Sequence, residues 1–120
     1  MTLLKIHNLT KRFGKFYALD GVNLELNEGE VYGFIGPNGA GKSTTIKAIL
    51  GMLKPTQGNI EIFDKNALKD AVAVHKDLAF VPGDVNFWPN LTGGEIIDFF
   101  LSLHPKANHT RKNELIKRFE

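Results

Sequence analysis

The chain of 120 residues contains no cysteine, which excludes a disulfide scaffold and any metal site built on thiolates and fits a reducing compartment. It also lacks long apolar runs. The N-terminus reads Met-Thr-Leu-Leu-Lys-Ile-His, and every apolar stretch elsewhere falls far short of the ~20 residues that a membrane-spanning helix needs. A soluble chain is expected, with any membrane role reached through a partner. Charge of one sign is scarce too: 15 Lys and Arg stand against 13 Asp and Glu, so the strong basic field of a nucleic-acid surface is absent and no nucleic-acid partner is expected. The four histidines, His7, His75, His104 and His109, show no metal-ligand spacing. There is no internal repeat and no low-complexity segment.

What is present centres on residues 31–45. An apolar stretch, Val-Tyr-Gly-Phe-Ile, runs into Gly-Pro-Asn-Gly-Ala-Gly-Lys-Ser-Thr-Thr. Residues 36–43 fit G-x-x-x-x-G-K-[ST], the phosphate-binding loop of nucleotide triphosphatases, with a strand pattern before it and a helix pattern after it. Four fixed positions arise by chance in roughly 0.4% of chains this long, so the match calls for a chemical reading. Gly36, Gly39 and Gly41 let the backbone turn tightly with its amides facing an anion. A helix beginning near Gly41 or Lys42 adds unpaired amides and the positive end of the helix dipole. Lys42 is placed to reach the β- and γ-phosphates, and the Ser43 hydroxyl to ligate Mg²⁺.

Around this loop the pattern predicts an α/β architecture. Residues 3–9 and 21–26 read as half-buried strands of an antiparallel pair, with residues 11–15 as a loop between them. Residues 31–35 read as an interior strand, and residues 44–53 as a helix with Ile46, Ile49, Leu50 and Leu53 on one face. Residues 59–63 form a further strand, 66–76 a short helical segment, and 78–81 a compact strand ending at Pro82. A loop bearing Phe87 and Trp88 follows, then a helix opened by a capping box of Thr92 and Glu95. Another helix opens at Thr110.

The phrase Asn-Glu-Gly-Glu-Val-Tyr-Gly-Phe-Ile before the phosphate loop, and Leu-Thr-Lys-Arg-Phe-Gly at residues 9–14 before both, resemble the ATP-binding subunit of an ABC transporter. The resemblance covers essentially the whole chain but only the front half of that family's nucleotide domain. It implies a P-loop NTPase sheet with an antiparallel β subdomain, incomplete at the C-terminal side. Residues 1–30 and 58–64 would be the antiparallel β part, 31–53 and 78–82 the P-loop core, and 93–120 the start of a helical subdomain. Carried over position by position, Gly36, Pro37, Asn38, Gly39, Ala40, Gly41, Lys42, Ser43 and Thr44 match the family's phosphate loop, Lys42 also as the catalytic residue and Ser43 as the Mg²⁺ ligand. Phe13 matches the aromatic that stacks on adenine. The ligands implied are ATP and Mg²⁺. One position departs: Gly83 stands where the family has a glutamine that reaches the metal and the attacking water, which makes neighbouring Asp84 a candidate metal or water ligand. The Pro-Gly-acid run at 82–84 with Leu91-Thr92-Gly93 resembles an exporter-type branch that includes drug and antibiotic exporters.

The resemblance further implies ATP hydrolysis that drives transport, with a transmembrane domain and a second nucleotide-binding subunit as partners and the protein peripheral at the cytoplasmic, inner face of the cell membrane. Phe87 and Trp88 would lie near the contact with the membrane domain. Leu91-Thr92-Gly93-Gly94-Glu95 imitates the family's Leu-Ser-Gly-Gly-Gln signature, but it comes too early and reads as the capping box. An apolar strand ending in Asp-Glu, the signature and the switch histidine do not occur, so the 120 residues are expected to bind nucleotide without hydrolysing it, and to expose sheet edges able to associate. A soluble ABC-type ATPase acting on ribosomes or DNA would share the loop, as would a nucleotide-binding fragment without turnover. A GTPase or small-molecule kinase would share it as well, but none of the six aspartates is followed three residues on by glycine, and no Asn-Lys-x-Asp occurs.

Overall fold

The computed structural model describes residues 1–37, 39–83, 86–104 and 106–119. They fall into two units, Met1–Phe80 and Val81–Glu120.

The first unit is built on a hairpin. Strand β1 (Thr2–Phe13) pairs antiparallel with β2 (Phe16–Asn27) through Leu4↔Leu26, Ile6↔Leu24 and Leu9↔Val22. Its apolar positions turn to one face, where Ile6, Leu9 and Leu19 are buried. The loop expected over 11–15 shortens to two residues, Gly14 and Lys15, because Lys11, Arg12 and Phe13 find ladder partners in Leu19, Tyr17 and Phe16. Cross-strand packing of aromatic and aliphatic side chains holds pairing right up to the turn. Gly14 opens that turn at φ 60, the left-handed conformation that glycine adopts without a steric penalty.

After helix α1 (Lys42–Ile49), strand β3 (Gln57–Ile62) joins the other side of β1, and β4 (Lys65–Asn66) pairs with β3, giving the antiparallel order β2-β1-β3-β4. α1 ends earlier than its apolar periodicity suggests. Gly51, at φ 72, lets its own amide bond Ala48 O at 3.1 Å and that of Met52 bond Lys47 O at 2.9 Å, the paired arrangement that closes a helix on a left-handed glycine. Helix α2 (Ala71–His75) is shorter than the 66–76 expected, since Asn66 is taken into β4 and its side-chain oxygen accepts from the amides of Leu68 and Lys69. Ala48 of α1, Val74 of α2 and Ala67 close the core over Ile6, Leu9, Leu19, Ile60 and Ile62.

Two expected strands are corrected. Among the described residues neither 31–35 nor 78–81 is a strand, and Val31 and Ile35 stand 100% and 96% exposed. A strand persists only where its N–H and C=O groups find a ladder partner, and no described segment pairs with either one.

Residues 27–30 form a tight turn, with Glu30 N donating to Asn27 O at 3.1 Å and Gly29 at φ 81. The Asn27 backbone amide donates to Glu30 Oε2 at 2.8 Å and its side-chain amide to Oε1 at 3.2 Å. These two bonds, the backbone one first, hold the Glu30 carboxyl below its ordinary 4.5. A depressed carboxyl stabilises the folded turn above the unfolded pKa and loses that contribution as pH falls through the folded value. The Glu30 side-chain carbon resonance is therefore expected to titrate below 4.5 in the chain and to move only part of the way back in Asn27→Ala, which removes the side-chain bond and keeps the larger backbone one; an unshifted midpoint in the unsubstituted chain would contradict the turn bonding.

The second unit carries α3 (Gly93–Ser102) and α4 (His109–Arg118). The capping box forms as its residues demand: Thr92 N donates to Glu95 Oε1 at 3.1 Å, and Glu95 N to Thr92 Oγ1 at 3.2 Å. α4 opens one residue ahead of Thr110, with Asn108 Oδ1 accepting from Arg111 N at 2.8 Å. Lys112 of α4 forms an ion pair with Asp98 of α3. Trp88 packs edge-on to Phe99, ring centres 5.2 Å apart, and Phe99 to Phe100 at 5.6 Å. No helix among the described residues is long and apolar enough to cross a membrane.

Candidate functional site

The phosphate-loop motif sits where a chain reversal meets a helix start. Pro37 O accepts from Ala40 N at 3.1 Å, tightening the loop, and Gly39 (φ 87) and Gly41 (φ 95) take left-handed conformations. Gly41 is the N-cap of α1, with no side chain to compete for the helix amides. The first intrahelical bond is Thr45 N to Gly41 O at 2.9 Å, and the Thr45 hydroxyl reaches the same carbonyl at 2.8 Å from a buried position. The backbone amides of Lys42, Ser43 and Thr44 precede that bond, at the electropositive end of the helix.

Gly41 is also where the loop touches the sheet. A Cβ built on it would lie 2.7 Å from Leu19 Cδ2 and 2.8 Å from Ala18 O. β2 thus passes directly against the helix start, and only a residue without a side chain permits it. The result is a cleft of about 360 Å³ lined by Phe16, Ala18, Gly39, Gly41, Lys42, Ser43 and Thr44, within the range of small-ligand sites. The Lys42 ammonium bonds the carbonyls of Gly36 and Pro37, so it lies back over the loop at the edge of the cleft.

The structure therefore brings five expected residues, Gly39, Gly41, Lys42, Ser43 and Thr44, to one cleft, and sets Gly36, Pro37 and Ala40 in the loop behind it. Asn38 and Asp84 lie outside the described residues. Gly83 belongs to the second unit, at an exposed bend. Phe13 is not among the lining residues: it is the last residue of β1, half exposed, with the Lys11 ammonium 5.1 Å from its ring centre and the Lys11 Nζ donating to Lys54 O at 2.8 Å. The aromatic at the cleft is Phe16, across the hairpin turn. Sequence reasoning missed Phe16 and Ala18. Their alternate spacing shows that they share a face of a strand, but not that this face meets the loop.

The donor set suits a polyphosphate. It combines helix-start amides, one ammonium and a serine hydroxyl. It also suits Mg²⁺ held chiefly by phosphate oxygens, since Ser43 offers one neutral oxygen and no carboxylate among the described residues lines the cleft.

Comparison with known proteins matches residues 19–120 to the model of a family described as "ABC transporter". A bacitracin transport ATP-binding protein of Bacillus licheniformis is 40% identical over 94 residues, which cover 78% of this chain and 31% of that protein. A probable sulfate/thiosulfate import ATP-binding protein of Chlorella vulgaris is 36% identical over 115 residues, covering 93% of this chain and 48% of that protein. Among solved structures, a dimeric post-hydrolysis state of an ATP-binding cassette bound to ADP and Pi superposes with a TM-score of 0.72 at 32% identity, covering 88% of this chain and 50% of the other. The chain spans half or less of the length of each of these relatives.

Proposed function

Because the chain belongs to the ABC transporter family, we propose that the cleft at the start of α1 binds ATP with Mg²⁺ and that the protein is the nucleotide-binding part of a transport ATPase. The observation that carries this is the convergence of Gly41, Lys42, Ser43 and Thr44 on one cleft. The amides of residues 42–44 would hold the β-phosphate oxygens, with Gly36, Pro37, Gly39 and Ala40 shaping the loop around them. The Lys42 ammonium leaves its loop carbonyls for the β- and γ-phosphates and is the catalytic residue, stabilising charge on the transferring group. Ser43 is the protein's own ligand for Mg²⁺, which when bound neutralises phosphate charge. Asp84 is a further candidate ligand in place of the glutamine that Gly83 replaces.

In the whole protein we assign this site to ATP hydrolysis that drives transport, with a transmembrane domain and a second nucleotide-binding subunit as partners, at the cytoplasmic face of the cell membrane. Export is the direction we favour, from the Pro82-Gly83-Asp84 run. The 120 residues alone are expected to bind MgATP weakly and to turn it over negligibly, since no carboxylate among the described residues lines the cleft to polarise water. Titration of the purified chain with MgATP, beside a phosphate-release assay, tests both halves. Absence of binding at millimolar nucleotide removes the function; steady release abolished in Lys42→Ala removes the no-turnover reading.

The aromatic group of the second unit is assigned to the membrane partner. Phe87, Trp88, Phe99 and Phe100 pack against one another yet remain about half exposed, a pattern that marks contact surfaces. Trp88→Ala is expected to lower transport by the assembled complex about tenfold, the loss typical of an interfacial tryptophan, while nucleotide binding stays unchanged. Undiminished transport would sink this assignment.

A further inference from the structure

The far end of α1 is fixed by a bond that the phosphate motif does not contain. Leu50, the C-cap of α1, presents its carbonyl to the Nε2 of His75, the last residue of α2, at 2.6 Å. A carbonyl only accepts, so Nε2 carries the proton and donates. The bond fills one of the acceptors that a helix leaves unsatisfied at its negative end. Ala71 stands one helical turn before His75 on the same face of α2, and both turn to Gly51: a Cβ built there would lie 3.3 Å from Ala71 Cβ, 4.0 Å from His75 Nε2 and 3.0 Å from Ala67 O. α2 therefore seats on the glycine that closes α1. At the other end, the close approach of Gly41 to Ala18 O and Leu19 holds the N-cap against β2. Between the two, the buried side chains of α1 are Thr45 and Ala48, both small, which gives packing alone little grip on the direction of the axis.

We propose that His75 is a positioning residue of the phosphate site: by holding the C-terminal end of α1 it fixes the direction in which the amides of Lys42, Ser43 and Thr44 point into the cleft; this rests on the nucleotide-binding role given above. The eight residues of α1 make a rod about 12 Å long. With the N-cap held at β2, a drift of about 2–3 Å at the Leu50 end turns the axis by roughly 10–15°, the range over which a preorganised site loses its geometry. The amides lie close to that pivot, so the bond governs their aim more than their place. His75 is not among the residues lining the cleft and acts on the ligand only through α1.

The test compares MgATP with Mg-tripolyphosphate, which has the phosphates and no base, by calorimetry on the 120-residue chain and its His75→Ala and His75→Gln variants, well below their unfolding midpoints. His75→Ala is expected to weaken both ligands by the same factor, about fivefold, because the amides serve phosphate alone. His75→Gln keeps an N–H donor at the end of its side chain and should restore both affinities to within about twofold of the unsubstituted chain. In the free chains, the backbone amide resonances of Lys42, Ser43 and Thr44 should move in His75→Ala and return in His75→Gln, a signature that a loss of stability alone does not produce. Affinities in His75→Ala equal to those of the unsubstituted chain overturn the assignment, as does a loss that His75→Gln fails to restore, since the bulk of the ring and not its bond would then matter. Failure of the unsubstituted chain to bind either ligand overturns the nucleotide site itself, and the role of His75 with it, whereas a chain that binds both while the amides of 42–44 stay unmoved in His75→Ala overturns His75 alone. The exposed position of His75 makes a folding defect a small term.

Discussion

Lys42→Ala is expected to weaken binding of MgATP and of Mg-tripolyphosphate alike, by about a hundredfold. The ammonium is the one side-chain cation lining the cleft among the described residues, and a charge-assisted bond to phosphate contributes roughly 1.5–3 kcal/mol, with more than one such bond within reach of the β- and γ-phosphates. The loss falls on both ligands because the contact is to phosphate and not to base. Lys42→Arg should recover only part of it, since the guanidinium fork is wider and planar where the loop is built around a compact charge. Thermal unfolding should change little: the contacts given up in the free chain are the lysine's bonds to the Gly36 and Pro37 carbonyls at the surface. A Lys42→Ala chain that binds ATP within about threefold of the unsubstituted one would show that the cleft is not a phosphate site, whatever its motif.

Gly41→Ala is expected to be the most damaging glycine substitution in the loop, and it acts through stability first. Two costs combine there. An L-residue at φ 95 is strained by about 1–2 kcal/mol, and the new methyl meets Leu19 Cδ2 and Ala18 O at under 3 Å, so core or strand must shift at a further 1–3 kcal/mol or so. Leu19 is a core residue, 4% exposed, which leaves it little room to give. Gly39→Ala supplies the control, because φ there is 87 but nothing lies within 4 Å of the added carbon. It should incur the backbone strain alone. Urea unfolding of the two variants reads the difference directly as separate midpoints. Nucleotide binding should follow, with Gly41→Ala losing most of its affinity as the helix start moves off β2. Equal midpoints would mean that β2 does not press on the N-cap, and would undercut the placement of Phe16 as well.

The contrast between these glycines and the aromatics shows how differently the parts of the site are written in the chain. Residues 36–43 could be read directly, because each step of their chemistry is local: glycine for a left-handed turn, a helix start for free amides, a lysine and a serine at fixed offsets from that start. The Thr92–Glu95 capping box was legible for the same reason, its two reciprocal bonds spanning three residues. The antiparallel pairing near the N-terminus was legible from alternation, although its extent was not, since pairing of Lys11, Arg12 and Phe13 depends on residues 16–19 folding back on them.

Residues 31–35 mark the limit in the other direction. Their composition is that of an interior strand, yet Val31 and Ile35 are exposed, because apolar side chains create the tendency to be covered and only a neighbouring strand supplies the hydrogen bonds that make the strand. The position of the aromatic follows the same rule. Phe16 comes to line the cleft because Gly41, 25 residues further on, admits the Ala18 carbonyl and draws the edge strand to the loop. By itself, then, the sequence determined the phosphate-loop motif, the helix that follows it and the family to which the chain belongs. The tertiary structure alone decided which ring faces the cleft and which apolar segments pair, because those outcomes rest on contacts between residues distant in the chain, which no local pattern encodes.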